Sequence, residues 1–199
     1  MSENKIIDDL LYQSTELMNL RTILDKVGAY IYSKDLDGNY TYANSLVVEL
    51  FGMPASEIYG KDDSHFFDLE LSNQLQINDQ KVMNENITIQ QEEANYIKAT
   101  GETRIYWTIK APIFDENKEV IGMCGISTDI TQQKKLESTL ERESSLLKAI
   151  LDNVDAHVYL KDSERRYVYA NPKVAELLRK SPDNIIRPHR SRIAIERKR

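Results

Sequence analysis

The sequence predicts an α+β domain: a five-stranded antiparallel sheet with short helices on one face, flanked by N-terminal and C-terminal amphipathic helices. Three observations predict it. A segment of alternating apolar and polar residues around a turn opens the domain and recurs later in the chain. Three further alternating runs follow a helical stretch, and two heptad-spaced apolar stripes bracket these elements.

The recurring segment, ILDKVGAYIYSKDLDGNYTYAN from Ile23 to Asn44, returns without a gap as ILDNVDAHVYLKDSERRYVYAN from Ile150 to Asn171, with 12 of 22 positions identical. An offset of 127 residues is too long for a solenoid repeat and fits two copies of one domain. Each copy reads as strand, turn, strand, helix. In the first, Asp37-Gly38 suits the positive backbone dihedrals of a tight hairpin; in the second, Glu164-Arg165-Arg166 predicts a looser connection. Asn44 and Asn171 stand where a side chain can accept free amide hydrogens of the first helical turn, and Pro172 follows where a missing N–H costs nothing.

Beyond the first hairpin, residues 69–84 read as a helix with Leu71, Leu75 and Val82 on one face. Three strands should follow. Ile87 and Ile89 alternate with Thr88 and Gln90; Ile105, Trp107 and Ile109 alternate with Tyr106, Thr108 and Lys110; Val120 to Thr128 is a third extended run, with Asp115 to Lys118 as the preceding turn. Thr131 to Asn153 contains no Gly or Pro and predicts a continuous helix. On it Leu136, Leu140, Glu143, Leu147, Ile150 and Val154 follow the spacing of a coiled-coil seam. Ile6, Leu10, Gln13, Leu17, Leu20, Leu24 and Val27 do so near the N-terminus. Both stripes fit a homodimer paired through its helices, and both fit packing onto their own sheet.

No run reaches the roughly 18 apolar residues of a membrane span, and the N-terminus carries no basic-then-apolar leader, so the expectation is a cytoplasmic protein with no membrane partner. The single cysteine, Cys124, has no internal disulfide partner, and no Cys/His group has zinc-ligand spacing. The net charge of -6 is uneven: residues 187–199 hold six Lys/Arg and one acid, a local +5, which leaves -11 for the rest. An acidic body repels phosphate, and the basic tail lacks interleaved aromatics, so the expectation is no nucleic-acid partner. Phosphate-loop, serine-hydrolase and zinc-hydrolase motifs are absent, and the acid pairs Asp62-Asp63 and Glu92-Glu93 read as solvated faces, so no catalytic residue is expected and the chain reads as no enzyme.

KDLDGNYTYAN resembles the first hairpin of PAS domains, and STDITQQKKLE resembles the Asp-Ile-Thr ending that leads into their signalling helix. The resemblance implies a PAS fold, a half-barrel in which any ligand lies between sheet and helices. The candidate pocket residues are then Tyr32, Tyr42, Phe66, Phe67, Trp107 and Cys124, with Trp107 looking into the core beside Ile105 and Ile109. Asp129 and Thr131 form the signal junction, Thr131 capping the helix and coupling its first turn to the last strand. The eleven tyrosines favour a small polar or aromatic ligand, while the same aromatic face also fits a core filled by its own side chains.

Among cofactors, covalent flavin chemistry lacks its cysteine motif, and His65 alone is weak support for haem, so the cofactor stays unknown and a noncovalent small molecule, FAD included, stays open. The implied organisation is an amphipathic helix over 1–20, a complete PAS domain over 21–130, a linker helix over 131–149, an incomplete second PAS domain over 150–186, and a basic tail of artefactual character over 187–199. The implied role is sensory input for a bacterial signalling protein of the diguanylate cyclase or histidine kinase type, acting through a dimeric coiled coil on an output domain absent from this chain. A ligand-free dimerisation scaffold is the alternative.

Overall fold

A computed structural model describes residues 3–186, which fall into two compact units dividing after Lys135. In the first, α1 (Glu3–Lys26) is followed by β1 (Tyr30–Asp35) and β2 (Tyr40–Ala43), the short helices α2 (Ser45–Phe51) and α3 (Ala55–Ile58), and a 3-10 turn at Asp63–His65. Then come α4 (Gln74–Glu85), β3 (Ile89–Ile97), β4 (Glu102–Phe114) and β5 (Val120–Asp129). All pairings are antiparallel, in the order β2-β1-β5-β4-β3. That is the predicted α+β sheet.

The turn between β1 and β2 is built by one carboxylate. Asp35 Oδ1 accepts the amides of Asp37 (3.1 Å) and Asn39 (2.8 Å), and Gly38 takes a φ of 84° that strains other residues. Asn44 then does more than cap α2. Its Oδ1 accepts the amides of Ile31 (3.1 Å) and Val47 (3.3 Å), while its Nδ2 donates to the carbonyls of Leu24 (2.9 Å) and Ala29 (2.8 Å). One buried side chain thus joins the end of α1, the start of β1 and the first turn of α2.

The predicted helix over 69–84 begins later, at Gln74, because the preceding residues form a turn tied to β3. Phe67 bridges Ile97, Asp68 donates to the Tyr96 carbonyl (3.0 Å), and Ser72 Oγ accepts the Tyr96 amide (2.8 Å). Leu75 and Val82 are buried and Leu71 is exposed.

The two faces of β4 are the reverse of the expectation. Tyr106, Thr108 and Lys110 point into the core, and Trp107, expected there, is 41% exposed on the outer face. Pattern reading puts the apolar set inside; here the inward set is polar, and opposite charges from α4 and β3 compensate it.

α5 (Thr131–Asn153) is continuous, as predicted. Its seam residues Leu136, Leu140, Leu147 and Ile150 are exposed, as are Leu10, Leu17 and Leu20 on α1. In the second unit, β6 (Tyr159–Lys161) and β7 (Tyr167–Ala170) form a hairpin followed by α6 (Pro172–Leu178) and α7 (Pro182–Ile185), around Ala170, Val174, Ala175 and Ile185. Its connection is not looser than the first. Asp162 Oδ1 accepts the amides of Glu164 and Arg166 (2.9 Å each), and Arg165 takes a φ of 63° in the place of Gly38. The expected basic tail lies outside the described residues. Among the described residues no helix is long and apolar enough to cross a membrane.

Candidate functional site

The concave face of the sheet carries charge at its centre. Lys34 on β1 and Lys110 on β4, 1% and 0% exposed, reach toward α4 and the 3-10 turn. Lys34 Nζ contacts Asp63 Oδ2 (2.5 Å) and Asp79 Oδ2 (2.6 Å); Lys110 Nζ contacts Asp79 Oδ1 (2.8 Å) and Glu93 Oε1 (2.9 Å). Asn78 Nδ2 adds a bond to Glu93 Oε1 (2.6 Å), and the Tyr40 hydroxyl donates to Asp63 Oδ1 (2.8 Å). Asp63 and Glu93, read from sequence as members of solvated acid pairs, are thus buried partners of lysines, whereas Glu92 beside them is half exposed and pairs with Lys134.

Burial by itself pulls both lysines down, but the facing carboxylates outweigh it and hold them above their ordinary value. Asp79 is pushed up by burial and pulled further down by two lysines, so it ends low. Asp63 has the weaker compensation, and burial leaves it above the usual carboxylate range.

Beside this network the sheet and α2 enclose a cavity of ≈ 30 Å³. Its apolar side is Val47, Leu50, Phe51, Phe67 and Leu75; its polar side is Tyr30, Tyr32, Tyr40, Glu93, Asn95, Tyr106 and Ser127. The Tyr32 ring lies directly over Gly125, where an added Cβ would sit 2.3 Å from a ring carbon, so only glycine admits this ring position. Burial drives the Tyr32, Tyr40 and Tyr106 hydroxyls well above their ordinary value, which keeps them neutral donors and acceptors.

Of the expected pocket residues, Tyr32 and Phe67 stand in the cavity wall. Phe66 is buried behind it, stacked on Phe51 at 4.0 Å between centroids. Tyr42 lies elsewhere, near Asp25 and Tyr59. Trp107 and Cys124 sit at outward positions of β4 and β5, paired with Thr128 and with Ser33 and Ala111. His65 is exposed and contacts Asp62 at 3.0 Å. Sequence reading missed Glu93, Asn95 and Tyr106. The signal was parity: Ile89 and Ile97, both turned inward, put Glu93 and Asn95 on the same face of β3.

The wall of the cavity continues to the helix. Tyr30 and Tyr106 meet edge to face at 5.4 Å, Arg104 donates to the Tyr30 hydroxyl (3.4 Å) and lies 3.6 Å from Asp129, and Asp129 Oδ1 accepts the Thr131 amide (2.9 Å). Thr131 is therefore the residue that is capped. Its own hydroxyl accepts the amide of Ile105 (2.8 Å), which couples the first turn of α5 to β4 in addition to the last strand.

The family model described as the PAS fold matches residues 24–135, more than half of the chain, and a second one, described as the PAS domain, matches 145–197. The chain belongs to the PAS family. This PAS chain is 34% identical over 131 residues to a diguanylate cyclase of Vibrio cholerae, covering 65% of the chain and 41% of that protein. It is 26% identical over 194 residues to the methanogenesis regulatory histidine kinase FilI of Methanothrix harundinacea, covering 87% of the chain and 22% of that protein. It spans less than half the length of either curated relative.

Among solved structures, the PAS chain shares its fold with Vibrio cholerae VqmA in a ligand–DNA complex, with a TM-score of 0.51 at 17% identity, covering 84% of this chain and 75% of that one. That likeness corrects the expectation that nucleic acid is excluded as a partner. The same fold serves in a protein solved on DNA, and an acidic sensor body does not forbid contacts made elsewhere in a protein.

Proposed function

We propose that this PAS chain is a sensory input region in which a small molecule in the core cavity biases two packings of the sheet and its helices. The bias passes through a paired α5 to an output domain outside this chain, of cyclase or histidine kinase type. The observation that carries the reading is the unbroken set of contacts from the cavity to the helix: Tyr106 and Tyr30 to Arg104, Arg104 to Asp129, Asp129 to Thr131. A change in the tilt of Tyr106 has a short mechanical route to the first turn of α5. The exposed leucine seam on that helix supports pairing with a second copy, since an exposed heptad stripe gains most by burial against its like.

One observation favours the scaffold reading: the cavity, at ≈ 30 Å³, has room for a water or two before α2 moves. Native mass spectrometry with an absorption spectrum of the purified chain separates the two. Retained mass, coloured or not, is expected for the sensor, and an empty dimer for the scaffold. In sedimentation, Leu140→Lys with Leu147→Lys should convert dimer to monomer while Trp107 fluorescence still reports a folded first unit. Persistent dimers would remove the α5 seam from the proposal.

A further inference from the structure

Resting on the reading of the core cavity as a ligand site, the chemistry of its wall narrows what can fill it. Three polar side chains converge there. Glu93 brings a buried carboxylate to the wall, its Oε1 shared by Asn78 and Lys110. Asn95 Oδ1 and the Tyr106 hydroxyl are buried without a hydrogen-bond partner. Glu93 and Asn95 are successive inward positions on β3, and Tyr106 is directly opposite Glu93 in the pairing of β3 with β4, so the three lie within one small patch. Arg104, engaged with Tyr30 and Asp129, also acts on the Tyr106 hydroxyl from the side of the helix.

Buried polar atoms left unpaired are costly: Asn95 Oδ1 calls for a donor, and the Tyr106 hydroxyl can accept from the same guest. Turning the Asn95 amide exchanges its two ends but leaves Glu93 beside it as a pure acceptor. Charge points the same way. When all are ionised, the two lysines of the network face three carboxylates, Asp63, Asp79 and Glu93, which leaves one negative charge in excess within a dry interior. Burial first, and then the neighbouring charge of Asp79, hold Asp63 above the usual carboxylate range. An anionic guest would add to that excess; a cationic one would cancel it. The wall also carries the rings of Tyr30, Tyr32, Tyr40, Phe51, Phe67 and Tyr106, a lining that favours a cation over an anion at a ring face.

We propose that the cavity is a receptor site for a small primary amine bound as its ammonium ion, with the N–H groups on Glu93, Asn95 and Tyr106 and a short hydrocarbon end against Val47, Leu50 and Phe67. The ≈ 30 Å³ of free space holds a water or two, so an amine of a few heavy atoms enters as α2 moves outward.

The test is thermal melting of the whole chain, followed by Trp107 fluorescence, with n-propylamine, n-propanol or sodium propionate at matched ionic strength. Propylamine should raise the melting temperature in a concentration-dependent way, with an apparent affinity at least about tenfold above that of propanol. Propionate should have no effect. Asn95→Leu and Tyr106→Phe, each of which removes an unpaired polar atom and so leaves folding intact, should abolish or weaken the propylamine response. Glu93→Gln should do the same if it folds with Lys110 left half paired. Stabilisation by propanol or propionate equal to that by propylamine overturns the amine assignment and leaves a ligand-binding cavity standing. No response to any probe, in a chain that native mass spectrometry finds empty, overturns both.

Discussion

The two copies of the repeated segment begin alike and end in different environments. In both, a Lys lies over two tyrosine rings: Lys34 at 5.5 and 4.8 Å from Tyr32 and Tyr40, Lys161 at 5.6 and 4.4 Å from Tyr159 and Tyr167. Both turns are held by an Asp side chain, and both hairpins shift register one residue before that Lys. Yet Lys34 is sealed among carboxylates, and Lys161 is exposed. Local sequence is therefore enough to make the hairpin, and the charged interior comes from α4 and β3, which supply Asp79 and Glu93 from residues distant in the chain. Shape is local here; electrostatics is not.

The strongest way to break that comparison is at the lysines. Lys110→Met removes, among the described residues, the one lysine that pairs with Glu93 and one of the two that pair with Asp79, and should cost about 3–5 kcal/mol, the usual consequence of removing one partner of a buried pair. Denaturant melts read by Trp107, the single tryptophan, should show it. Lys161→Met should leave hydrogen-exchange protection of β6 and β7 unchanged. Alkali is a second route to the same loss. Lys34, Lys110, Tyr32 and Tyr40 all have folded values raised above their unfolded ones. Their contributions are therefore complete below about pH 10 and disappear as pH rises through the folded values. A first unit that keeps its midpoint in strong alkali would contradict a buried ionic core.

Much of the fold was legible because it rests on local signals. Turn residues, strand alternation and the ungapped repeat mark the hairpins, and the lack of Gly or Pro after Ile130 marks α5. The interior of the site was not, because the rule that apolar residues face inward selects Ile105, Trp107 and Ile109, and the true inward set is Tyr106, Thr108 and Lys110. That choice depends on Asp79 and Glu93 arriving opposite Lys110, which no window of β4 contains. Lys34 was the available warning: a lysine sharing its face with Tyr32 in the middle of a strand implies a buried partner.

A smaller effect is expected at the asparagines. Asn171 repeats every bond of Asn44, accepting from Val158 (3.1 Å) and Val174 (3.2 Å) and donating to the carbonyls of Leu151 (3.2 Å) and Ala156 (2.8 Å). In each unit the side chain ties the end of the preceding helix to the hairpin. Asn44→Ala should destabilise the first unit by about 2–3 kcal/mol, since several buried backbone groups lose their partner at once. Asn171→Ala should release β6 and β7 from the end of α5, read as lost exchange protection there. Equal protection in both forms would mean that the second clamp carries no load.

The smallest effect tests the turn. Arg165 adopts the left-handed conformation that Gly38 adopts without strain, and for an L-residue with a Cβ this costs on the order of 1–2 kcal/mol, partly offset by the extra entropy that glycine loses on folding. Arg165→Gly should therefore stabilise the second hairpin by roughly 1 kcal/mol, and Gly38→Arg should destabilise the first by a similar amount. The bonds that define the turn come from Asp162 to backbone amides and survive the change, and the nearby ion pairs belong to Arg166, so the substitution isolates backbone strain. If Arg165→Gly left β6–β7 protection unchanged while Gly38→Arg weakened β1–β2, the two turns would differ in solution. The likeness between the copies would then stop at the strands.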